Sequence, residues 1–214
     1  MSEFIDVVSY TPPNFYNKKV NEEFIKLIMG QVVDQVVGQC EWVSGNPTIY
    51  EPDYFCNEIP FEFTLASDRK KKGNYIQRVI RHQYSTEDAE GDISKYVIES
   101  VEQKLLKHYS VPNVHLCVLC CMDLTNWVLD EYGSVTHCLL DYRRQSLFDS
   151  IKDKCIKSNK FNNVFIIFPD LTAKWWVWDV STNKKASIQL SYDDILSGKY
   201  PYMMPLDTFN RIKK

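Results

Sequence analysis

Two carboxylates and the turn between them carry the chemistry most readily read from this chain. Asp53 follows Pro52 in an apolar-flanked extended run, and Glu62 lies in a second, Phe61-Glu62-Phe63-Thr64-Leu65-Ala66. Between them stands Cys56-Asn57-Glu58-Ile59-Pro60. Aromatic and β-branched residues bounded by Asn and Pro predict strand, turn, strand. Side chains alternate along a strand, so Glu62 and Thr64 project to one face while Phe61, Phe63 and Leu65 project to the other. In a hairpin turning near Asn57, Asp53 approaches Glu62 from the partner strand. Two carboxylates so held offer the hard oxygen ligands that Mg²⁺ takes. Their mutual repulsion is of the kind a divalent cation relieves. The competing reading of the same face is a solvated hairpin surface.

A basic segment follows. Arg69, Lys70, Lys71 and Lys72 precede Gly73-Asn74, after which Ile76, Val79 and Ile80 predict a helix from Tyr75 to about Gln83. Arg78 and Arg81 make this the most basic part of the chain. It reads either as a contact to a phosphate backbone or as a solvated charge run. Other catalytic patterns are missing: there is no phosphate-binding glycine loop, no G-x-S-x-G elbow and no H-E-x-x-H. The four histidines are scattered, with no spacing that pairs them on a metal.

The elements that position these residues follow from hydrophobic period. Residues 1–18 read as an irregular lead-in, with Pro12-Pro13 blocking an early helix. Asn21 caps a helix whose first turn holds Glu22 and Glu23, with Phe24, Leu27, Ile28, Val32 and Val36 on its buried stripe and Gly38 as its stop. Glu22 and Glu23 read as helix-start charges, with a metal-site role for either as the alternative. A first strand covers residues 40–43, closed by Ser44-Gly45-Asn46-Pro47. Residues 85–94 read as a loop and 96–109 as a helix. The apolar runs 115–122 and 164–168 fit strands buried on both faces. Residues 125–142 hold an amphipathic segment or a hairpin, and 143–158 a helix. Trp175, Trp176 and Trp178 lie on a final strand, read as packing in preference to a binding patch. No linker appears, so residues 1–214 are read as one domain.

Composition bounds the function. The chain has 214 residues, 44% hydrophobic and 14% aromatic, with a formal charge of −3. That charge excludes a generally basic nucleic-acid coat, so any such contact is a local patch. No run approaches a membrane span, and the first residues lack a signal-peptide pattern. Cys117 and Cys120 point to opposite faces of a strand, which is poor geometry for sharing a metal. All seven cysteines are expected as reduced thiols, which fits a cytoplasmic setting.

The coarse order α-β-β-β-α-β, with Pro52-Asp53 on the second strand and Glu62-x-Thr64 on the third, resembles the PD-(D/E)XK nuclease superfamily over roughly residues 20–122. The resemblance implies a restriction-endonuclease-like core: a mixed α/β fold with a mixed central sheet flanked by helices, here extended by C-terminal helix and strands over about 123–214. It implies a metal-dependent nuclease of DNA or RNA. Asp53 and Glu62 would bind Mg²⁺ or Mn²⁺, and a glutamate of the first helix, Glu23, would join them. The family's lysine, which supports the attacking water, is replaced by Thr64. Lys70 to Lys72, with Lys71 at their centre, are the nearest substitutes, and Gln77 is a polar candidate for positioning water or phosphate. The nucleic-acid contact would run through Arg69, Lys70, Lys71, Lys72 and Arg78. Without a cation at the site, the protein would be a degenerate nuclease-fold module that binds nucleic acid or a protein partner.

Overall fold

The two long apolar runs become neighbouring parallel strands inside a seven-stranded sheet. They are β6 (His115–Cys120) and β9 (Asn163–Pro169) of a computed structural model. It describes residues 4–15, 17–37, 40–66, 78–83, 89–120, 127–129, 135–140, 145–157 and 160–214. In chain order the other strands are β1 (Phe4–Tyr10), β2 (Trp42–Ser44), β3 (Tyr54–Cys56), β4 (Ile59–Ala66), β5 (Arg78–Gln83), β7 (Trp127–Leu129), β8 (Val135–His137), β10 (Lys174–Asp179), β11 (Lys184–Gln189) and β12 (Tyr202–Pro205). The helices are α1 (Lys18–Val37), α2 (Ala89–Leu105), α3 (Gln145–Ile156), α4 (Tyr192–Ser197) and α5 (Leu206–Ile212). The large sheet runs β11-β10-β9-β6-β4-β3-β2, with β6 parallel to both β4 and β9 and the other pairs antiparallel. The C-terminal strands thus continue the sheet that the N-terminal half begins.

Alternation along the strands divides the interior in two. Phe61, Phe63, Cys117, Leu119, Ile167, Trp175 and Val177 bury against Phe24, Ile25, Ile28 and Met29 of α1. Ala66, Leu116, Val118, Val164, Ile166 and Trp178 bury against Val97 and Val101 of α2 and Leu147, Phe148 and Ile151 of α3. This is the expected mixed sheet with helices on both faces. Trp175 and Trp178 are fully buried, on opposite sides, so they are packing residues. The sheet ends in β2, three residues long, and in β11, which carries Lys184 and Lys185.

Several elements differ from the sequence reading. The supposed lead-in contains β1, which pairs antiparallel with both β5 and β12 in a separate sheet. Residues 78–83 form β5 and not the end of a helix: Val79 and Ile80 stand opposite Val8 and Val7. So short an apolar pattern fits either period, and the partner strand decides it. α1 begins at Lys18, one turn before Asn21, and α2 begins at Ala89, inside the expected loop. Residues 127–129 and 135–137 pair as a hairpin, the second of the two readings of that stretch. Among the described residues no helix is long and apolar enough to cross a membrane.

Cysteine chemistry also differs. Cys40, just before β2, is joined to Cys56 of β3 by a disulfide, and the two strands are antiparallel neighbours with Cα atoms 5.7 Å apart. The expectation of seven thiols is therefore corrected, because strand register brings together residues that sequence spacing does not pair. Cys117 and Cys155 are free thiols, and both are buried, as is Cys120. Thiol titration of the denatured chain without reductant is expected to fall at least two short of the seven cysteines. Closing so short a loop contributes about 3 kcal/mol. Urea titrations with and without reductant should differ by about that amount; equal midpoints would count against the bridge.

Candidate active site

Asp53 is set by what flanks it. The β3–β4 register pairs Tyr54 with Phe61, so Asp53 stands opposite Glu62 across the hairpin. One Asp53 oxygen accepts the Phe63 N–H at 2.9 Å. The Gly45 N–H donates to the Asp53 carbonyl at 3.0 Å, and a Cβ on residue 45 would collide with the Pro52 carbonyl. Gly45 is thus required by a close backbone approach, one residue from the carboxylate it helps to place.

Glu62 points to the α2 side of the sheet, on the face expected from alternation. That face is not a solvated surface, because the C-terminal end of α2 covers it and leaves Glu62 0% exposed. Lys104, in the last turn of α2, and Lys107, just past it, both donate to Glu62 Oε1, the latter at 2.7 Å. Lys104 also lies 3.9 Å from Asp53 Oδ2. On the other flank Lys18 donates to Asp53 Oδ1 at 2.9 Å and stands 3.2 Å from Glu22. Glu22 accepts the Tyr54 hydroxyl at 3.1 Å. Three carboxylates therefore meet three ammonium groups. The repulsion expected between Asp53 and Glu62 is already relieved by lysines. Glu62 Oε2 and the Tyr109 hydroxyl are buried with no hydrogen-bond partner among the described residues.

The electrostatics follow from these contacts. Burial pushes the Asp53 carboxyl up, but the Lys104 charge, the Phe63 N–H and Lys18 together outweigh it and hold the group below its ordinary range. Burial works against charge on Lys18, yet Asp53 and Glu22 raise it above the usual lysine value. Tyr54 is pushed up to about 12, by burial first and then by Glu22. Tyr109 is raised by burial and then by the charges of Glu62 and Asp53, so its hydroxyl stays protonated.

A depressed folded-state carboxylate stabilises the fold above its unfolded value, and that contribution is lost as pH falls through the folded value. The window for Asp53 therefore lies below the ordinary 3.8. Asp53→Asn is expected to lower stability near neutral pH and to flatten its fall at about pH 3. Urea titrations at both values check this; identical slopes for the two proteins would contradict the depressed carboxylate.

Sequence-predicted residues fare unevenly. The structure brings Asp53 and Glu62 together and places Thr64 on the Glu62 face of β4. Glu23 lies elsewhere: its side chain is 58% exposed and paired with Lys26 at 2.5 Å, and Glu22, one residue earlier, is the glutamate of α1 that faces the site. Lys71 and Gln77, with Arg69, Lys70 and Lys72, lie outside the described residues, and of Arg78 only its place in β5 is described. The sequence reading missed Lys18, Lys104, Lys107 and Tyr109. The available signal was a helix ending in lysines, which is ordinary dipole chemistry and names no partner.

Hard oxygens from two carboxylates suit Mg²⁺, which takes one or two such ligands and leaves its other positions to water and phosphate. The unpartnered Glu62 oxygen fits that role. Among the described residues there is no cluster of three or more His, Cys, Asp or Glu that would form an all-protein cage. Comparison with protein-family models, with curated proteins and with solved structures returned no match.

Proposed function

We propose that this chain is a metal-dependent phosphodiesterase acting on DNA or RNA, with Asp53, Glu62 and Lys104 as its centre. One observation carries the reading. The ammonium group of Lys104 lies within ion-pair distance of both Glu62 and Asp53, and in this reading it serves where Thr64 supplies no lysine. The order α1, β2–β3–β4, α2, β6 supports a restriction-endonuclease-like core, with β5 diverted to a second sheet.

Hydrolysis joins a water oxygen to phosphorus and breaks the bond to a sugar oxygen, which leaves with a proton. Bound Mg²⁺ or Mn²⁺ would supply an activated water and neutralise phosphoryl charge, held by Asp53 and the spare oxygen of Glu62. Lys104 sits where charge grows on the attacking and phosphoryl oxygens, and stabilises it without reorganising. Lys18 and Lys107 serve as point charges for the phosphate on either side. The α2 wall over Glu62 lowers the local dielectric and strengthens each of these interactions.

Because lysines already balance the carboxylates, a metal ion alone gains less there than a metal ion with a phosphodiester. Millimolar Mn²⁺ is expected to raise the melting temperature clearly only when a non-cleavable dinucleotide analogue is also present. The deciding experiment follows hydrolysis of bis(p-nitrophenyl) phosphate and of labelled oligonucleotides with Mn²⁺ and with EDTA. Metal-dependent cleavage is expected. Binding of oligonucleotide without cleavage would favour a second reading, a non-catalytic nuclease-fold module, for which the balanced charge cluster speaks.

A further inference from the structure

Next to the lysines, two loops bring aromatic rings to the surface. Tyr50 is 62% exposed, and its ring lies 6.0 Å from that of His108 in an edge-on arrangement. The loops are tied together: the Ser110 N–H donates to the Tyr50 carbonyl at 2.9 Å. Tyr50 is held at φ 61°, in the left-handed region that bulky residues avoid. Its own N–H donates to Pro47 at 3.3 Å, and the Asn46 side chain accepts the Thr48 N–H. A strained, exposed aromatic residue is retained where the surrounding structure over-determines it, a pattern that clusters at functional sites. Along the second loop, Lys107 turns inward to Glu62, His108 is exposed, and Tyr109 is half-buried.

We infer that Tyr50, propped by the edge of His108, stacks an unpaired base of single-stranded nucleic acid whose phosphate lies at Lys107 and Lys104. The placement of the phosphate rests on the phosphodiesterase reading. In a duplex both faces of a base are covered, whereas an unpaired base offers its face to any aromatic ring, whatever its sequence. Lys107, 42% exposed and next in sequence to His108, offers a cation beside the stacked base. With an overall charge of −3, the chain lacks a broad positive field, so capture depends on such short-range contacts.

The test uses the full chain in EDTA, so that binding is read without turnover. Fluorescence anisotropy follows a labelled oligothymidylate of about 12 nucleotides, its ribo-counterpart, a duplex and an abasic strand. Wild type is expected to prefer the single strand to the duplex. Tyr50→Ala, which keeps the Cβ and so the backbone cost, should weaken single-strand binding about 5- to 150-fold. Tyr50→Trp should retain it, and Tyr50→Leu, apolar but without a π face, should match alanine. The abasic strand should not distinguish wild type from Tyr50→Ala. The tighter of the deoxy and ribo strands identifies the sugar. The inference is overturned by wild type failing to bind the single strand or binding the duplex as well. Unchanged binding in Tyr50→Ala, or full affinity in Tyr50→Leu, also overturns it. Hydrolysis of bis(p-nitrophenyl) phosphate, which has no base, separates this from the activity itself. No hydrolysis with Tyr50-dependent binding overturns the phosphodiesterase reading alone. Hydrolysis with Tyr50-independent binding overturns the stacking alone.

Discussion

Replacing Lys104 by methionine is expected to lower kcat for phosphodiester hydrolysis by about 10²–10³-fold, the usual loss when one preorganised charge is removed from a reacting centre. The fold should survive, because Glu62 keeps Lys107 as its partner at 2.7 Å. Lys107→Met should do less. Lys107 is more exposed than Lys104, 42% against 18%, and among the described ion pairs it touches Glu62 but not Asp53. The check is kcat for both variants with Mn²⁺, beside their melting temperatures. A Lys104→Met protein with wild-type turnover would remove Lys104 from the centre and with it the argument for catalysis.

Removing both lysines has a different and larger consequence, for stability. Lys104→Met with Lys107→Met is expected to cost about 3–5 kcal/mol, the range for a buried charge stripped of its partners. The asymmetry lies in exposure: the lysines can swing to water, whereas Glu62 is 0% exposed and cannot. Adding Glu62→Leu should recover most of the loss, since replacing a whole buried ion pair by apolar groups is often neutral. Urea denaturation of the single, double and triple variants measures this. A double variant within about 1 kcal/mol of wild type would mean that water reaches Glu62 after all. The single variants should not add up to the double, because either lysine alone still neutralises the carboxylate.

The carboxylates were legible and the lysines were not, for one physical reason. Asp53 and Glu62 are placed by a hairpin whose turn, alternation and register are local. Glu62 lies 42 and 45 residues from Lys104 and Lys107, and their meeting depends on how α2 crosses over the sheet. The basic run 69–72, the nearest cation in sequence, lies outside the described residues. Glu22 and Glu23 show the same limit at finer scale. Neighbouring residues on a helix point about 100° apart, so one faces Tyr54 and Lys18 while the other faces solvent. The central strands were readable because a strand buried on both faces is apolar throughout. β1 and β5 were not, because each is justified chiefly by the other. The Cys40–Cys56 bridge likewise needed the β2–β3 register before the pair could be seen.

The ends of the large sheet bear on how the protein behaves when concentrated or refolded. An open strand edge is a template for a second chain. Here β2 is too short to offer much of one. On β11, Lys185 folds back over the Phe148 ring, 4.5 Å from its centre, and burial lowers its pKa. An incoming strand would have to desolvate a charge already poorly solvated. The segments most able to seed fibrils, β6 and β9, sit in the middle, where neighbours occupy both sides. Aggregation should therefore track the small fraction of molecules that open and not the concentration of folded protein. Sub-denaturing urea should accelerate it more than a comparable rise in protein concentration.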